Sequence, residues 1–69
     1  MNNIQAVLLN KNYFTLNEAM GYLISHGYYP IKPIHETKNY YRARLKQPNK
    51  NHKYFTKKIR EGVKYILQY

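Results

Sequence analysis

Arg42, Arg44 and Lys46 recur at every second position from Tyr40 to Lys46, alternating with Tyr41, Ala43 and Leu45. In extended backbone that spacing puts the three cations on one face, roughly 6.6 Å apart. This is close to the phosphate spacing along one strand of a duplex or an extended single strand. Tyr40 shares the face and is suited to stack on a base or to hydrogen-bond a phosphate. Lys38 precedes the run, and Lys50, Lys53, Lys57 and Lys58 follow it and could lengthen the track. The chemistry this pattern offers is charge-assisted contact with phosphate, directed at the backbone and indifferent to base identity. A solvated basic face that keeps the protein soluble is the competing reading.

Other chemistries find less support. The acids Glu18, Glu36 and Glu61 are scattered, no Asp is present, and Ser25 has no evident base and orienting carboxylate. A nucleophilic or general acid–base enzyme is therefore not expected. His26, His35 and His52 lack paired spacing and there is no Cys, so neither a metal site nor a cofactor is expected.

The charge that feeds the basic face is unevenly spread. Twelve Lys and Arg against three acids give +9 over 69 residues. Residues 1–34 carry +1, from Lys11, Lys32 and Glu18, and residues 35–69 carry the remaining +8. A lysine-rich codon bias explains part of the excess but not the scarcity of acids. With 43% hydrophobic and 16% aromatic residues the chain is too apolar for a disordered polyelectrolyte. Its length fits a single domain, 1–69, that buries only roughly 60% of its unfolded surface. Without Cys no disulfide reinforces so small a core. No apolar run reaches a membrane span of roughly 18 residues. Met1-Asn2-Asn3-Ile4 offers no basic region ahead of a hydrophobic one. An intracellular or intravirion setting without membrane contact is expected.

The elements that must hold this face can be read in chain order. Ile4–Leu9 is a short apolar run that reads as a buried strand. Thr15-Leu16-Asn17-Glu18 has the form of a capping box. Behind it Leu16, Ala19, Met20, Leu23 and Ile24 fall at helical spacing, with Gly27 placed to end the helix. The helix over 16–26 leaves Asn17, Gly21, Tyr22 and Ser25 outside and carries no Arg or Lys, so it is not a groove-reading helix. Pro30 and Pro33 make Tyr28–Ile34 an extended connection or edge strand. His35–Asn39 reads as a turn, Tyr40–Lys46 as a half-buried strand, and Gln47–Asn51 as a polar loop. The last segment fits either a helix with Phe55, Ile59, Val63, Ile66 and Leu67 on one face, or two strands. The strands would run over Lys53–Ile59 and Val63–Gln68, with a tight turn at Arg60-Glu61-Gly62.

One resemblance adds to this reading. Phe14-Thr15, Ala19, Tyr22-Leu23, His26-Gly27-Tyr28 and the run Glu36-Thr37-Lys38-Asn39-Tyr40-Tyr41-Arg42-Ala43-Arg44 resemble a small basic domain of unsettled function in proteins of tailed phages and large double-stranded DNA viruses. In that pattern an aromatic-Thr pair opens a helix, His-Gly closes it, and a Thr-Lys-Asn-aromatic-aromatic-Arg-x-Arg strand follows. This chain departs from it with Ala43 where Phe is frequent and Tyr22 where Trp is frequent. Gly62-Val63-Lys64-Tyr65-Ile66 resembles the family's closing strand, which favours two strands at the C-terminal end. The resemblance implies a viral origin rather than a mechanism.

The expected architecture is α+β, a single helix packed on a small antiparallel sheet of three or four strands in the order β-α-β-β-β. Leu16, Ala19, Met20, Leu23 and Ile24 should face Val7, Leu9, Tyr41, Leu45, Ile59 and Val63, with Tyr13, Tyr22, Tyr41 and Tyr65 in or near the core. The expected function is non-specific nucleic-acid binding through the Arg42/Arg44/Lys46 face. The alternative is a virion structural or assembly protein that works through protein–protein contacts, with virion proteins or as a homo-oligomer, with the aromatic-proline stretch at Tyr28–Ile34 as its surface.

Overall fold

A computed structural model describes residues 3–47 and 51–69. The elements run β1 (Ile4–Asn10), α1 (Leu16–Ser25), β2 (His35–Glu36), β3 (Tyr40–Arg44), β4 (Tyr54–Arg60) and β5 (Val63–Gln68). The five strands form one antiparallel sheet in the spatial order β2-β3-β1-β5-β4. The α+β class holds, but the strand count and order are corrected from β-α-β-β-β to β-α-β-β-β-β. The added strand is β2, which lies inside the segment read as a turn. Two residues are too few for a periodic signal, and Thr37 makes the pairing possible. Its amide and hydroxyl donate to the Tyr40 carbonyl (2.8 and 3.1 Å), and its hydroxyl accepts from the Tyr40 amide at 3.0 Å. The hairpin therefore closes at residues 37–39, and His35 pairs with Arg42.

The C-terminal segment is two strands. Gly62 adopts φ +81°, which a residue with a side chain rarely tolerates, and sits in the tight turn between β4 and β5. The Tyr13 side chain lies where a Gly62 Cβ would project, only 2.8 Å away. Tyr13 is thus a lid on this turn, 55% exposed, rather than a core residue.

The helix begins as its sequence dictates. Thr15 Oγ1 accepts from the Glu18 amide (3.2 Å), and the Glu18 carboxylate accepts from the Thr15 amide (2.9 Å). Two orphan donors are thereby satisfied reciprocally. It ends in a Schellman motif, with Tyr28 N–H donating to Leu23 C=O (2.8 Å) and Gly27 N–H to Ile24 C=O (3.0 Å), Gly27 at φ +73°.

The core lies between α1 and one face of the sheet. Val7, Leu9, Ala43, Val63 and Tyr65 come from the strands and Ala19 and Leu23 from the helix, with Tyr41 and Leu45 packed partly against them. Three of the five expected helix contacts are corrected: Leu16 and Met20 are 44% exposed and Ile24 is 59% exposed. The half-buried Tyr22, left outside by the helical spacing but expected in or near the core as an aromatic, is turned toward β5, its hydroxyl 2.7 Å from that of Tyr65. Aromatic packing accounts for the rotation. Tyr22 stacks on His26 at 4.0 Å and meets Phe14 edge-on at 5.9 Å, while Tyr28 meets Tyr65 edge-on at 5.8 Å. This group covers β5 and displaces the Leu16/Met20/Ile24 stripe outward. Ile59 is also corrected from core to exposed, because it falls at the irregularity between Lys58 and Arg60 in β4. No helix among the described residues is long and apolar enough to cross a membrane.

Candidate nucleic-acid interface

Strand register decides which charges share a face. Ala43 pairs with Val7 and Val7 with Tyr65, so this row faces the helix. The neighbouring positions must then face away from it. On the uncovered side His35 lies beside Arg42, Arg42 beside Leu8, Leu8 beside Lys64, and Lys64 beside Lys58. At the usual strand spacing this row crosses all five strands over roughly 19 Å. A second row runs Arg44, Ala6, Ile66 and Thr56, and Tyr40 lies beside Asn10. The cations are thus arranged across the strands as well as along β3.

Among the described residues no second helix covers this face, yet Ala6 is fully buried and Leu8 half-buried. Longer side chains on the adjacent strands are placed to shield them. Arg42 lines a hollow on this side with Gln5, Tyr54, Phe55, Thr56 and Ile66. Arg and Lys can lay their methylenes over apolar surface while keeping their charges in water. Arg42 and Arg44 are half-buried in consequence. The Arg42 Nε lies out of contact with water and has no hydrogen-bond partner among the described residues.

None of the glutamates occupies a strand position on this face. Glu18 caps the helix, and Glu36 pairs with Tyr41 on the helix side, where its carboxylate binds Lys11. Glu61 sits in the β4–β5 turn and binds Lys58 at 2.7 Å. That contact raises the Lys58 ammonium above its ordinary pKa and lowers the Glu61 carboxyl, chiefly through their hydrogen bond and then through their charges. Lys64, directly opposite Lys58, leans over the Tyr40 ring at 5.5 Å. Like charges facing each other across a strand pair are destabilising. Each of the two ammoniums is relieved by a different neighbour. On the helix side, burial and the Tyr22 hydrogen bond push the Tyr65 hydroxyl up, so it stays neutral.

The structure brings together Tyr40, Arg42, Arg44 and Lys58 from the sequence-derived set. Lys57 is separated from them, because it pairs with Tyr65 and so projects on the helix side of β4. Lys46 lies just beyond β3, where its amide and that of Leu45 both donate to the Gln5 carbonyl (3.2 and 2.8 Å). Gln5 Nε2 returns a bond to the Lys46 carbonyl at 3.0 Å. Lys38 is exposed in the β2–β3 turn and Lys53 is exposed just ahead of β4. Lys50 lies outside the described residues.

Lys64 and His35 join the face without having been singled out. Lys64 was open to discovery, since it alternates with Val63 and Tyr65 as Arg42 does with Tyr41 and Ala43. His35 was not, because its place depends on a pairing that no local pattern announces. Among the described residues no three His or acidic side chains cluster as a metal site would require. No family model, curated protein or solved structure matches this chain.

Proposed function

We propose that the protein binds nucleic acid through the uncovered face of its sheet, holding phosphates rather than reading bases. The observation that carries this reading is the segregation of charge. Arg42, Arg44, Lys58 and Lys64 register on one face, and no carboxylate occupies a strand position there. Tyr40, at one end of the face, supplies an aromatic surface for a base. If Arg42, Arg44 and Lys64 each displace one counterion while Lys58 stays bound to Glu61, log K falls against log salt with a slope of about −2.7. Fluorescence anisotropy with generic single- and double-stranded DNA and RNA, from low to moderate salt, measures it. Arg42→Met with Arg44→Met keeps the stems that shield Ala6 and removes two charges, so the slope should shrink by about 1.8. No binding at low salt, or an unchanged slope in the double variant, overturns the reading.

A second reading rests on a different observation. Met20, Ile24, Tyr29 and Ile31 are exposed beside one another and line an apolar groove of about 540 Å³ between α1 and the Tyr28–Ile34 segment. A virion structural or assembly protein would use such a groove for protein contacts. Sedimentation distinguishes the two. A stable oligomer that persists in high salt, ignores DNA and is dispersed by Ile24→Asp favours assembly.

A further inference from the structure

At the β2–β3 edge of the same face the cations converge on one hollow instead of spreading. Lys32, Pro33, His35, Arg42 and Arg44 line a depression of about 330 Å³. Three separate parts of the chain build it. Arg42 and Arg44 rise from β3, and His35 stands beside Arg42 on β2. Lys32 is brought in by the connection after the helix, which is tied to the sheet where the Ile31 amide donates to the Arg44 carbonyl at 2.9 Å. Pro33 stiffens that wall by fixing its own φ.

The electrostatics of the hollow are one-sided. It has no acidic lining residue, and the carboxylate nearest in sequence, Glu36, is turned to the opposite face and held by Lys11. Neither Arg42 nor Arg44 forms an ion pair among the described residues, and the Arg42 Nε–H is buried without an acceptor. Two guanidinium forks, an ammonium and an imidazole that keeps at least one N–H in either protonation state surround one space. A backbone phosphodiester carries a single charge, which one cation balances. A phosphate monoester carries about −1.5 to −2 at neutral pH and three acceptor oxygens. Three permanent positive charges around one hollow fit the second far better than the first.

We propose that this hollow is a phosphomonoester seat, and that it takes the terminal phosphate of a nucleic-acid strand whose backbone lies on the rest of the face. The identity of the ligand as a strand end rests on the nucleic-acid reading above; the seat itself does not.

The test compares a short oligonucleotide bearing a terminal phosphate with its dephosphorylated twin, by anisotropy at fixed salt. Inorganic phosphate and a mononucleotide are titrated separately while the His35 imidazole signals are followed by NMR. The phosphorylated strand should bind at least tenfold more tightly. Lys32→Ala should cut that preference several-fold and leave binding of the dephosphorylated twin within about twofold. Lys32 is exposed, so this replacement spares the core. If neither strand binds but phosphate and mononucleotide shift His35 saturably, the seat stands and the nucleic-acid reading fails. Equal affinity for the two strands, together with no saturable shift from phosphate, overturns the seat and leaves backbone binding intact.

Discussion

One sheet here presents two faces built by the same period-two alternation and put to opposite uses. On the covered face Val7, Leu9, Ala43 and Val63 are fully buried under a helix and an aromatic group. On the other, Ala6 is fully buried and Leu8 half-buried among longer flanking side chains, and Arg42, Arg44, Lys58 and Lys64 stand on that side. A small antiparallel domain has enough helix to cover one side only, and the second side must face water. Covering an apolar strip with arginine and lysine accomplishes that, and it concentrates positive charge on the side left open. The difference teaches that the basic face is at once a structural solution and the best-placed surface for an anion.

The sharpest way to break the comparison is to remove volume from each side. Leu23→Ala or Leu9→Ala on the covered side should cost about 2–5 kcal/mol, a large part of the stability of so small a domain. Leu8→Ala on the open side should cost distinctly less, because solvent and the neighbouring stems can close in. Urea unfolding of the variants measures both, and equal losses would mean that the open side is a second core. Gly62→Ala should follow at about 1–3 kcal/mol, because φ is +81° and Tyr13 occupies the space the new methyl needs.

Thr15→Ala removes the helix cap and should cost about 1 kcal/mol. It should leave the salt slope of nucleic-acid binding unchanged, since the helix belongs to the other face. The smallest effect should come from Glu61→Gln. Freeing Lys58 should steepen that slope by up to about 0.9. The Glu61 carboxyl is held below its ordinary value of 4.5, so its pair with Lys58 is intact at neutral pH and is lost as pH falls through the depressed value. An NMR titration should find the Glu61 midpoint below 4.5, moving back toward it in Lys58→Met. A midpoint identical in both proteins would show the pair to be inconsequential.

Much of this was legible in the sequence, and the illegible part has a physical pattern. The capping box at Thr15/Glu18 and Gly27 marked the helix ends because capping is local chemistry. The alternation of Tyr41, Ala43 and Leu45 marked β3 for the same reason. The rotation of the helix was not legible, since Tyr22 and Leu16 are both apolar enough to face inward and packing against Tyr65 decided between them. β2 was hidden by its length. The charged row from His35 to Lys58 was hidden more deeply, because it exists only once four strand pairs have chosen their registers. Periodicity says which side chains share a side of one strand, and pairing says which strands lie next to each other.

The central position of β1 also bears on when the protein can become itself. β1 is hydrogen-bonded on one side to β3 and on the other to β5, which follows β2, β3 and β4 in the chain. A nascent chain that has emerged only through β3 therefore holds Val7 and Leu9 with one flank of the core missing. Proteolysis of chains stalled at increasing lengths should show protection arriving abruptly, when residues 63–68 become available. Protection already complete before that point would contradict it. Folding of this protein therefore waits for β5, and its basic face assembles in the same moment as its core.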